Sequence, residues 1–304
     1  MTNTRTTTWN EIGTTLSTND FSTVLKDAGL DYEVTREPIF TKIGDKEYEI
    51  KDRKAIVRNS DNHIYNVMSG SYTPIQNKDA FDFINYIDED IEFVKAGETA
   101  GGLIYIIGKL HEMNILGDKF QTHVIFQNSH NGRYQLAMSI CPLRIVCQNQ
   151  FNIAFKESNS TFNIRHTKSI ATKVEIASKT LSSISDYMKV FNEKAELFAN
   201  QKLSDRQVTK FIDYMFPIND DMSNTVRERV EDEKIKFIKA YENEDNLNFK
   251  GSAWGLINGL TDYITHREFK RKVENANEKR FIETVLIANN LNNSINYISN
   301  LALA

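Results

Sequence analysis

Arg144, Gln148 and Asn149 fall together in the run Arg144-Ile145-Val146-Cys147-Gln148-Asn149, and Arg165, His166 and Lys168 follow shortly after. A guanidinium and two amides can grip phosphate oxygens and base edges. Cations just ahead of a helix can do the same beside its exposed N–H groups, with Thr167 or Ser169 as cap. Phosphate of DNA or RNA is the natural guest for both groups. Two plainer accounts compete. Arg144, Gln148 and Asn149 can satisfy backbone groups where a sheet ends, with Asn149 as a turn or cap residue. Arg165, His166 and Lys168 can tie helix to sheet with no ligand. Tyr65, Tyr72, Tyr105, Phe126 and Tyr134, interleaved with Lys109, Arg133 and Arg144, form a stacking platform if they face outward and a core if they face inward. Strand register decides between these.

Other chemistry has less to build on. The six histidines (63, 111, 123, 130, 166 and 266) are scattered, and neither His-x-x-x-His nor Cys-x-x-Cys occurs, so no metal site is expected. Cys141 and Cys147 make neither a disulfide framework nor a zinc set. Cys147 paired with His166 would be a thiol–imidazole couple, although a buried structural cysteine is the commoner outcome. Asp79, Asp82, Asp88, Glu89, Asp90 and Glu92 would serve a two-metal nuclease only if they converged, and otherwise form a solvated face. Gly97-Glu98-Thr99-Ala100-Gly101-Gly102 lacks the Gly-Lys-Ser/Thr ending of a phosphate-binding loop and opens a strand. No cofactor is expected, and catalysis is the less favoured class.

These residues sit in a chain of 304, long enough for one large domain or two smaller ones. The net charge of −4 conceals a basic middle: residues 164–210 carry 9 Lys/Arg against 5 Asp/Glu, while residues 1–163 carry 16 against 21. Clustered cations can attract a polyanion whatever the global charge. No apolar run nears the ~18 residues of a membrane span. The polar Met1–Thr8 stretch lacks a signal-peptide core. A cytoplasmic setting in a bacterial host cell is expected.

The elements that must position these residues change character along the chain. Residues 1–19 read as a flexible segment rich in Thr, Asn and Ser. Residues 20–166 read as a β-rich α+β domain with strands at 32–40, 48–57, 63–68, 91–95, 101–110, 120–127 and 133–140. A short helix at 21–28 and another at 78–87 complete it. Asn131-Gly132 between alternating runs is a hairpin signal, and residues 150–155 fit strand or helix. Residues 167–304 read as a helical region, packed on the sheet or mediating oligomerisation. Ile170, Val174, Ala177, Leu181, Ile184, Met188, Phe191, Ala195 and Phe198 form a heptad-type seam suited to one partner helix, in this chain or another subunit. Ser204-Asp205-Arg206-Gln207 resembles a capping box opening a helix that ends before Pro217. Helices follow at 224–241, 253–265 and 280–298. The fold class is α+β, an antiparallel hairpin-rich N-terminal half followed by a helical C-terminal half with one long heptad-patterned helix.

Five motifs in register carry a resemblance: Ser71-Tyr72-Thr73-Pro74-Ile75-Gln76-Asn77, Gly97–Gly102, Asn128-Ser129-His130-Asn131-Gly132, Arg144–Asn149 and Ile164-Arg165-His166-Thr167. Together with Ala253-Trp254-Gly255-Leu256 they resemble the phage/plasmid-like protein family, domain of unknown function 932, over roughly residues 50–265. Gln150 departs from the pattern, where a Thr more often follows. The resemblance implies a phage or plasmid setting near replication and recombination genes, and implies no catalytic residue. Hairpins feeding a helix also look like single-strand-annealing proteins of the Rad52-like type, by fold analogy alone. The expectation is a nucleic-acid-binding protein, with single-stranded DNA favoured. Arg133, Arg144, Gln148, Asn149, Arg165, His166 and Lys168 would contact the strand, and Phe126 or Tyr134 would stack a base. A homo-oligomer is a candidate partner. The alternatives are an interaction protein diverting a host factor through the acidic segment 79–98, and a metal-dependent nuclease.

Overall fold

The computed structural model describes residues 7–87, 90–153, 158–164, 170–267, 274–286 and 289–303. Its strands are β1 (Thr14–Thr18), β2 (Val34–Ile43), β3 (Lys46–Arg58), β4 (His63–Ser69), β5 (Glu92–Glu98), β6 (Leu103–Ile115), β7 (Asp118–Ser129), β8 (Ala137–Arg144), β9 (Asn149–Gln150) and β10 (Thr161–Asn163). Its α-helices are α1 (Phe21–Asp27), α2 (Asn77–Phe81), α3 (Ile170–Asn200), α4 (Asp205–Met215), α5 (Asn224–Tyr241), α6 (Ala253–His266), α7 (Ala276–Phe281) and α8 (Asn289–Leu303). The class is α+β, with antiparallel sheets in the N-terminal half and helices in the C-terminal half.

Among the described residues the strands form two sheets. The main sheet runs β1-β5-β6-β7-β8-β10, with β9 also on β8, and the second runs β2-β3-β4. Local chemistry sets the turns. Leu116 and Gly117 both take positive φ between β6 and β7, the conformation a two-residue turn needs to match strand twist. Gly44 does the same between β2 and β3. The expected helix at 78–87 is α2 followed by a 3-10 turn at Asp82–Tyr86. The capping box at Ser204 and Gln207 is present in full and opens α4.

Both faces of the main sheet are covered. On one face Phe120, Val124, Phe126 and Ile140 meet α3 and α6 in the large core. There Phe191 of α3 packs on Phe120 at 5.6 Å, Phe151 at 5.7 Å and Trp254 at 5.9 Å. The seam of α3 is therefore filled within the chain, through Ala177, Ile184, Met188, Phe191, Ala195 and Phe198. On the other face Trp9, Ile12 and Phe281 close a smaller core over Tyr105, Ile125 and Cys141. The expectation of a flexible segment 1–19 needs correction over its described part: Trp9 is buried beside His123, and β1 pairs with β5. No helix among the described residues is long and apolar enough to cross a membrane.

The second sheet stands apart. Its buried apolar residues, Val34, Ala55, Ile56 and Val57, belong to neither core cluster. From Thr35 to Arg53 nearly every side chain of its long hairpin is solvent-exposed.

Candidate functional site

Arg144, Cys147, Asn149 and Gln150 form an interior strut, while Val146 between them is exposed. Arg144 ends β8 opposite Phe120, on the face turned to the large core, and is 2% exposed. Its Nε donates to Asp118 Oδ2 at 2.8 Å, and its Nη2 lies 2.6 Å from the same oxygen and donates to the Asp245 carbonyl at 2.6 Å. The guanidinium lies over the Phe249 ring, 5.8 Å from its centroid, and Nη1 reaches Cys147 Sγ at 3.7 Å. An outward phosphate grip by Arg144 is thus corrected: its charge is spent on the chain's own carboxylate. Gln148 takes positive φ in the turn after β8, with its Nε2 donating to the Ile145 carbonyl at 2.8 Å. Asn149 is buried, and its side chain meets the Asn258 carbonyl at 3.4 Å and His266 Nε2 at 3.2 Å. Asn149 is the structural residue of the competing account, not a reader of bases.

The stacking candidates also turn inward. Phe126 is fully buried, edge-on to Phe83 at 5.7 Å, so it cannot receive a base. Tyr134 is half-buried against the smaller core, its backbone held by Ser129 Oγ. Arg133 remains a surface cation on the β7–β8 loop. Arg165, His166 and Lys168 lie outside the described residues. Asp88 and Glu89 of the acidic patch lie outside the described residues, and of the rest Asp82 pairs with Lys173 and Glu92 with Lys109 at 3.0 Å. No group of three His, Cys, Asp or Glu able to hold a metal occurs among the described residues.

Three of the motifs do come together, at the join between the two sheets. Glu98 ends β5, His130 follows β7, and Asn77 opens α2. From the second sheet and the segment before it come Arg58, Tyr65 and Tyr32. Glu98 Oε2 accepts from the Tyr32 hydroxyl at 2.8 Å, the Tyr65 hydroxyl at 3.1 Å and Arg58 Nη1 at 2.8 Å. The Tyr65 hydroxyl lies 2.8 Å from that of Tyr32. Arg58 also grips Asp61 through two nitrogens, at 2.9 and 2.8 Å, and lies 5.0 Å from the centre of the Tyr32 ring. The Asn77 amide donates to the Leu30 carbonyl, so its oxygen accepts from His130 Nε2 at 3.1 Å. That fixes the proton of His130 on Nε2 and leaves a buried Nδ1 with no hydrogen-bond partner.

Electrostatics suit holding more than reacting. Burial, with Glu98 nearby, pushes the Tyr32 hydroxyl up to about 12, and burial raises Tyr65 as well. Both phenols stay protonated donors. Burial, then the Arg58 charge, depresses His130 to about 4, so it is neutral at pH 7. The Arg58 hydrogen bonds lower Asp61 to about 2. Sequence reasoning passed over Tyr32 and Arg58. The available signal was Arg58 at a strand end beside the Asn59–Asn62 turn, with Tyr65 on the returning strand.

A family model, "Domain of unknown function (DUF932)", matches residues 64–284, well over half of the chain. The chain belongs to this family. The match takes in Tyr65, Asn77, Glu98, His130, Arg144 and Asn149, whereas Tyr32, the β2–β3 hairpin and Arg58 precede it. No curated protein and no solved structure matches the chain.

Proposed function

We propose that this member of the domain of unknown function 932 family is a non-catalytic nucleic-acid-binding protein. It holds a single strand on the projecting sheet β2-β3-β4, in the recombination or replication of a phage or plasmid. One observation carries the reading. Phe40 and Tyr48 stand 55% and 48% exposed, one on each face of a hairpin that also presents Lys42, Lys46, Lys51 and Arg53, and that lies outside both core clusters. Exposed aromatics set among cations stack bases without regard to sequence and track a backbone, as annealing requires. Arg133 adjoins this surface, since the neighbouring Gly132 lies against Met68 of β4. From Val34 to Ser69 there are 7 Lys/Arg and 6 Asp/Glu. Such balance makes stacking, not counterion release, the main source of affinity.

Fluorescence anisotropy with a labelled oligothymidylate across a salt series tests this. Binding should weaken only shallowly with salt, and duplex DNA should bind less well. Phe40→Ala with Tyr48→Ala should cost at least ~10-fold, since each stacked base contributes ~1–3 kcal/mol. Absence of binding, or binding indifferent to both substitutions, ends the reading.

A second reading rests on one face of the same sheet. Register places Ile43 and Tyr48 on the face shared by Ala55, Val57, Ile64 and Val67, and Ile43, Ile64 and Val67 are 66%, 61% and 46% exposed. An apolar face of this kind suits a protein partner, including a host factor.

A further inference from the structure

We propose that the Tyr32, Arg58, Tyr65, Glu98 cluster is a latch that fixes the projecting sheet against the body, and that opening it frees the sheet to swing as a unit. The inference holds whatever the sheet binds. It starts from how the two parts are joined. Sheets that pack face to face share an apolar core. Here the apolar residues of β2 and β3 enter neither cluster of the body. The join is mostly hydrogen-bonded instead, with the rings of Tyr32 and Tyr65 packed on His130 at 6.0 and 5.2 Å and Met68 against Gly132. Val34 exchanges two hydrogen bonds with the Gln76 side chain, at 2.8 and 2.9 Å. Asn66 donates to the Asn131 carbonyl at 2.8 Å. The cluster on Glu98 completes these hydrogen bonds.

Of these contacts only the Glu98 cluster involves a full charge. Three donors converge on one carboxylate oxygen, two of them from the projecting sheet itself. Charge-assisted hydrogen bonds are roughly twice as strong as neutral ones. The Arg58–Glu98 pair is partly shielded, with side chains 22% and 14% exposed, so solvent screens it less than a surface pair. An apolar join gives way only when its core is exposed. A polar one exchanges its partners for water and can open without unfolding either sheet. Glu98 reaches the join from β5, whose own pairing with β1 and β6 does not depend on that carboxylate.

Spin labels at Asp45→Cys in the hairpin tip and Arg229→Cys on α5 report the geometry by pulsed dipolar spectroscopy. Cys141 and Cys147 are buried and should remain unlabelled. The parent should give one narrow distance. Glu98→Gln, which keeps the shape and removes the charge, should broaden and shift it while the thermal midpoint of the chain holds. Tyr65→Phe, which removes a single hydroxyl, should give an intermediate broadening. Amide exchange should quicken in β2–β4 and not in β6–β7. An unchanged narrow distance in Glu98→Gln overturns the latch. So does a common loss of structure in both sheets, because the cluster would then belong to one cooperative core.

Discussion

Arg144 shows how one side chain can fit two opposite accounts. On the surface, an Arg→Ala change costs within about 0.5 kcal/mol of stability and lowers only ligand affinity. In its observed place the same change removes the donors held at 2.6 Å by the Asp118 carboxylate and the Asp245 carbonyl. Removing one partner of a fully buried pair costs about 3–5 kcal/mol, and the 24% exposure of Asp118 lowers the cost here. Arg144→Ala should therefore shift the urea midpoint strongly, and Arg144→Lys should recover little, because an ammonium cannot reproduce the fork that spans Nε and Nη2. A variant as stable as the parent would return Arg144 to the surface. In the sequence the residue was ambiguous because β8 is buried along its whole length. With neither face wet, the alternation that separates inside from outside is lost.

Elements were legible where a period or a cap marked them. The helix expected at 224–241 coincides with α5, and Ser204 starts α4 as its capping box implied. The Asn131-Gly132 turn does join two paired strands. The three strands of the projecting sheet were legible, but its separation from the two core clusters, its interrupted β2–β3 register and the Glu98 cluster were not. The cluster joins residues 33 to 66 positions apart, which no local pattern encodes. Packing between elements is likewise not encoded in any local pattern. Gly259 of α6 faces the backbone of α5: a Cβ there would sit 2.8 Å from Tyr241 Cα and 3.2 Å from its nitrogen. Backbone cannot step aside as a flexible side chain can. Overpacking of ~1–3 kcal/mol should outweigh the ~1 kcal/mol helix gain of Ala over Gly. Gly259→Ala is expected to destabilise the chain in denaturant melts. If it stabilises, α5 is free to move away from α6.

At the scale of the molecule, two histidines link folding to pH from opposite faces of the main sheet. His123 is buried beside Trp9, and burial, with Lys109 adding to it, holds it down at about 4. Its Nδ1 lies 3.2 Å from the Gln121 carbonyl, so the neutral ring carries its proton there. His130 lies at the join, depressed to about 4 by burial and then by Arg58, with Tyr32 and Tyr65 around it. Both should return to about 6.5 when the chain unfolds. Between those values the unfolded chain binds more protons than the folded one, so stability rises with pH. The contribution is complete above about 6.5 and is lost as pH falls toward 4, at roughly 1.4 kcal/mol per pH unit for each ring. The lowered Asp20 and Asp61 act in a separate window, below the ordinary carboxylate range. Urea midpoints measured from pH 7.5 to 5.5 should therefore fall as the two rings gain protons in the unfolded chain. His123→Gln should remove about half of that slope without touching the join between the sheets. Imidazole signals that titrate near 6.5 in the folded protein, together with a flat midpoint, would show that neither ring is shut away from water.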